Sequence, residues 1–131
     1  MRRLLTAASV TLLLLLNTLL LIGPLLLIAL GKFVLPGKAL KTASSRGVMW
    51  VAESWAELNK LIFATLLPTR WDIRGNAELR QSTSYLVISN HQSWVDIPAL
   101  VQAFNRRTPY FKFFLKQQLI WVPLLGLAFW A

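Results

Sequence analysis

The sequence predicts an α/β fold behind a membrane-associated N-terminal region: a membrane helix, an amphipathic helix, then the first βαβ portion of an α/β domain. Three observations predict it. The run from Leu4 to Leu30 carries no charged residue. A second apolar segment, residues 47–68, keeps its charges on one face. From residue 69 onward, short apolar runs alternate with a helix-period segment, giving the order strand, helix, strand, helix that builds α/β layers. The expected divisions are therefore 1–46, a membrane anchor and basic loop; 47–68, an amphipathic interfacial helix; and 69–131, the N-terminal part of the α/β domain.

The first run exceeds the roughly 20 residues needed to cross a hydrocarbon layer. A cleavable signal peptide is the competing reading, but its apolar core usually spans only about 7–15 residues, so length favours an anchor. Gly23 and Pro24 also permit a kinked or re-entrant segment. Arg2 and Arg3 flank one end, and Lys32, Lys38, Lys41 and Arg46 follow the other. That excess favours leaving the rest of the chain in the cytoplasm. An apolar fraction of 56% in 131 residues agrees with a membrane location.

Composition also excludes several chemistries. The absence of cysteine removes disulfides, thiol catalysis and cysteine-ligated metals. A single histidine makes a histidine-built metal site improbable, so no metal is expected. The net charge of +9 is scattered rather than gathered into a stripe with stacking aromatics, which argues against nucleic acid. Anionic lipid headgroups account for the same charge.

Residues 31–46, GKFVLPGKALKTASSR, read as a basic loop lying against the headgroups. In the next segment Val51, Trp55, Leu58, Ile62 and Leu66 recur at helical spacing, while Glu53, Glu57 and Lys60 share another face. Two placements fit: a helix in the membrane interface, or one packed on the following domain. Pro68 ends it. RWDIRG alternates as a strand with one wet face, and NAELRQST is a polar turn region. YLVIS, residues 85–89, suits a buried parallel strand. Ile97, Leu100, Val101 and Phe104 form the buried stripe of a helix, YFKFFLK reads as a further strand, and QQLIWVPLLGLAFWA is partly helical, interrupted by Pro123 and Gly126.

His91, the one histidine, follows the YLVIS run by two residues and precedes Asp96 by five. In open α/β sheets, ligands bind beyond the carboxyl ends of strands. Pro98 is tolerated only in the first turn of its helix, which must then start near Val95 to Ile97. On one continuous helix His91 and Asp96 would point about 140° apart, at roughly 100° per residue. A loop between them lets the carboxylate reach the imidazole, fix its tautomer and leave the other nitrogen as a base. The alternative is a structural cap, since this spacing alone is a weak signal. Ser93 lacks the G-x-S-x-G surroundings of an acyl-enzyme nucleophile and reads as a loop or capping hydroxyl.

NHQSWVD resembles the N-H-x4-D block of the glycerolipid acyltransferases, which include lysophosphatidic acid acyltransferases. FLKQQLIWVPLLGLAFWA is similar to the lysine-containing segment that follows in that family, and the two blocks together look most like a bacterial membrane-bound branch. The resemblance covers about residues 70–131. It implies that His91 is the general base on the free hydroxyl of a lysophospholipid acceptor and that Asp96 holds it. The acyl donor would be acyl-CoA or acyl-carrier protein, a co-substrate, so no resident cofactor is expected. Lys116 matches the family's lysine, and a role in contacting phosphate competes with that of a solvated strand-end lysine. Family members continue into an arginine-bearing block and an E-G-[ST]-R block, neither of which this sequence reaches. The domain is therefore expected to be incomplete and inactive alone, with the catalytic part facing the cytoplasm at a bacterial inner membrane. The competing function is a non-catalytic membrane anchor or interaction module that binds anionic lipid.

Overall fold

The structure is a computed structural model and describes residues 1–34, 36–68, 70–75, 78–93, 95–112, 114 and 117–121. The described residues hold three α-helices: α1 (Arg2–Val34), α2 (Lys38–Leu66) and α3 (Asp96–Phe104). A single 3₁₀ turn, Gln117–Trp121, follows them.

The leucine-rich run forms α1, which is 33 residues long and continues through Pro24. At 1.5 Å per residue it reaches about 50 Å. Its segment Arg2–Lys32 is long and apolar enough to cross a membrane. Most of its leucines are exposed, Leu4, Leu20 and Leu27 among them, as expected of a helix solvated by lipid rather than by protein.

The chain then reverses sharply. Gly37, directly before α2, has φ 117° and ψ 136°, a conformation that only glycine adopts without strain. Residues 31–46, expected as a loop, are mostly helical: α1 runs to Val34 and α2 already starts at Lys38. Packing overrides the weak local propensity of that stretch. Gly47 lies against Ile28, where an added Cβ would stand 3.3 Å from Cγ2, so the lack of a side chain permits the close approach.

Polar groups then fix the pairing of α1 with α2. Asn17 Nδ2 donates to the Trp55 carbonyl at 3.1 Å and to Asn59 Oδ1 at 2.7 Å. Trp55 Nε1 donates to Thr18 Oγ1 at 3.1 Å, and that hydroxyl donates to the Leu14 carbonyl at 2.8 Å. Asn17 and Asn59 are both buried, beside buried Val10, Val51 and Ala56. The Ile28–Gly47 and Asn17–Asn59 contacts show the antiparallel register held over about three turns.

The α/β expectation is overturned. Among the described residues there is no strand, and RWDIRG, YLVIS and the described part of YFKFFLK lack regular structure. A strand exists only through a hydrogen-bonded ladder with a neighbour, and an apolar run suited to a sheet cannot supply its own partner. Leu86 and Ile88 are accordingly exposed. The expected features at Pro123 and Gly126 lie outside the described residues. What packs in this part of the chain is α3, which buries Val101 and adjoins α2, with Phe104 and Phe111 in an edge-to-face pair at 5.5 Å.

Replacing Asn17 with leucine removes two hydrogen bonds and leaves Asn59 Oδ1 without its donor. The hairpin is expected to lose about 1–2 kcal/mol. Thermal unfolding in detergent, followed by circular dichroism, should show a lower midpoint for Asn17→Leu. An unchanged midpoint would mean that apolar packing alone sets the pairing.

Candidate functional site

The helix containing Pro98 starts at Asp96, within the window the proline predicts. Pro98 is its third residue, where a missing N–H leaves no intrahelical bond unmade. His91 stands outside the helix on the preceding loop, as the sequence implies.

The loop is organised around one carboxylate. Asp96 Oδ2 accepts from the Gln92 N–H at 2.5 Å and the Ser93 N–H at 2.7 Å. Asp96 Oδ1 lies 3.3 Å from Ser93 Oγ, which donates to it and accepts from the Val95 N–H at 3.2 Å. Ser93 is thus a loop hydroxyl that bridges the Val95 N–H and the Asp96 carboxylate. The loop closes where the Asp96 N–H donates to the Ser93 carbonyl at 3.1 Å.

The same Oδ2 stands 3.3 Å from Nδ1 of His91. One carboxylate thus both closes the loop and adjoins His91. With Nδ1 toward the carboxylate, Nε2 is the nitrogen left to meet another group. The imidazole is 63% exposed and can be reached from outside, whereas Asp96 is 29% exposed, partly screened by its own loop.

The two backbone N–H donors, Ser93 first and then Gln92, hold the Asp96 carboxyl below the usual carboxylate range, with the nearby His91 adding to the effect. The group therefore stays anionic beside the imidazole. These donors are backbone groups, so no residue-type pattern could have named them. Lys116, the third candidate, lies outside the described residues.

Two features behind this loop were not foreseen. Asn105 caps the C-terminal end of α3 and reaches α2, donating from Nδ2 to the Glu53 carbonyl at 3.3 Å and to Glu57 Oε2 at 3.2 Å. Gln81 Nε2 donates to the Arg106 carbonyl at 2.8 Å, which folds the polar turn onto the same end. Asn105 directly after an apolar helical stripe was the available signal, because asparagine is favoured where helices end. Tyr110, packed nearby, has its hydroxyl pKa raised by burial and by the charge of Glu53.

Among known proteins, residues 70–131 match the family model described as Acyltransferase. Neither a curated protein nor a solved structure matches the chain.

Because the Asp96 pKa is depressed on folding, the loop bonds it accepts persist above the ordinary carboxylate range and weaken only as pH falls through the lowered value. The amide proton shifts of Gln92 and Ser93 should therefore titrate together, with a midpoint below the ordinary carboxylate range. A midpoint within or above that range would show that Asp96 is not held as the geometry describes.

Proposed function

We propose that this chain, whose residues 70–131 match the acyltransferase family model, acts in a membrane-bound enzyme that moves a fatty acyl group from acyl-CoA or acyl-carrier protein to the free hydroxyl of a lysophospholipid such as lysophosphatidic acid. The observation that carries the reading is the His91 Nδ1–Asp96 contact of 3.3 Å, inside the matched segment.

In the proposed mechanism Asp96 keeps the proton of His91 on Nδ1, and Nε2 faces the acceptor hydroxyl. As the hydroxyl oxygen attacks the thioester carbonyl, Nε2 takes its proton. The tetrahedral intermediate collapses, the C–S bond breaks, and the departing thiolate takes the proton back from the imidazolium. The ester forms without an acyl-enzyme. A positioned base contributes about 10²–10⁴ in rate, and holding two substrates together adds to it. Lys116 would contact an acceptor or donor phosphate, a role that rests on the sequence resemblance. No resident cofactor or metal is assigned.

The membrane setting is part of the proposal. The acyltransferase segment would face the cytoplasm of a bacterial inner membrane, with α1 as anchor. Supporting this, the chain has no acidic residue before Glu53, whereas Lys38 and Lys41 occupy the first turn of α2. Cations at that end oppose the helix dipole, a cost that anionic headgroups offset.

The whole native protein in its own membranes, supplied with acyl-CoA or acyl-carrier protein and lysophosphatidic acid, should form the diacyl product. His91→Ala should lower that rate by about 10²–10⁴, and Asp96→Asn should lower it by on the order of 10² without dissociating the protein from the membrane. If His91→Ala transfers acyl groups as fast as the parent, the base has been misassigned. If the parent transfers none while staying bound to anionic vesicles, the lipid-binding module is the better reading.

A further inference from the structure

α3 has nine residues, too few to hold a position by its own stability. Its N-terminal end carries Asp96 and, through Asp96, the loop holding His91. Its C-terminal end meets α2 at Asn105. Both groups facing Asn105 Nδ2 are acceptors, the Glu53 carbonyl and Glu57 Oε2. A flipped amide would set oxygen against oxygen, so only one orientation of the side chain is favourable. Asn105 Oδ1 is buried and has no hydrogen-bond partner, a desolvation cost borne to keep the donor aimed at α2. Glu57 is itself steadied by Lys60 Nζ at 3.4 Å from Oε1.

From these contacts we propose that Asn105 is a positioning residue: by tying α3 to Glu53 and Glu57 of α2, it sets the direction in which the α1–α2 hairpin presents His91 and Asp96. The inference rests on the reading of that pair as the reacting groups. About 12 Å of helix separates Asp96 from the anchored end. A 5° change in tilt at Asn105 moves Asp96 by about 1 Å, and a displacement of that size costs on the order of 100-fold in a reaction that depends on alignment. The effect concerns an acceptor whose hydroxyl is held at a fixed depth by the membrane. A freely diffusing acceptor can adjust to the misplaced base.

The chain contains no cysteine, so spin labels at Val95→Cys and Leu61→Cys, both exposed positions, report the α3–α2 distance without background. In phospholipid nanodiscs the parent should give one narrow distance distribution. Asn105→Ala should broaden it about twofold, and N105D, which sets a carboxylate against Glu57, at least as much. Adding Glu57→Gln to N105D restores a donor–acceptor pair and should narrow the distribution again, an outcome that separates a lost tie from simple unfolding. Transfer to a long-chain lysolipid in the bilayer should fall about tenfold more in Asn105→Ala than transfer to a water-soluble short-chain analogue. Parent-like distributions in Asn105→Ala and N105D, failure of Glu57→Gln to narrow N105D, or equal loss with both acceptors would overturn the proposal. If His91→Ala retains transfer, or the parent shows none, the reading of the reacting pair fails instead, and the distance distributions still decide whether the tie exists.

Discussion

Asn17 places an amide in the middle of a helix made largely of leucine, and the position of α2 follows from where that amide finds its partners. Leucine surfaces pack against one another in many registers at similar energy. An unpaired amide among them costs far more than a small change in packing. The observed alignment of α2 offers Asn17 Nδ2 both the Trp55 carbonyl and the Asn59 oxygen, and the same alignment brings Gly47 under Ile28. Once α2 is fixed, Glu53 and Glu57 are fixed with it, and they are the groups that receive Asn105 from α3. The chain of dependence runs from an intrahelical polar residue to the helix that carries Asp96.

At the far end of that chain the site is built locally. Asp96 gathers the Gln92 and Ser93 amides and the Ser93 hydroxyl within a few residues of itself, and His91 adjoins the same oxygen. A carboxylate committed to several donors is hard to protonate, so it holds its charge beside the imidazole. Local construction gives the pair its internal geometry. The tie to α2 gives it a direction relative to the hairpin. These are separate demands, met by opposite ends of one short helix.

The parts of this arrangement that depend on near neighbours were legible in the sequence. An uncharged apolar run must be a long helix, Pro98 dates the start of α3, and a loop between His91 and Asp96 allows them to meet. Parts that depend on distant partners were not. The residues before Gly47 look like a loop by composition, yet they are helical because α1 lies alongside them. YLVIS has the composition of a strand, but composition cannot supply the ladder that makes one. Asn105 looks like an ordinary helix end until α2 is placed beside it, and the backbone donors to Asp96 carry no residue-type signature.

In the proposed mechanism Asp96 orients His91 with Nδ1 toward the carboxylate and Nε2 free to accept a proton. Nitrogen-15 spectroscopy of the single, labelled histidine in lipid tests this most directly, because the two neutral tautomers give distinct nitrogen shifts. The proton is expected on Nδ1 in the parent, with that preference lost in Asp96→Ala. A proton on Nε2, or a tautomer ratio indifferent to Asp96, would contradict it.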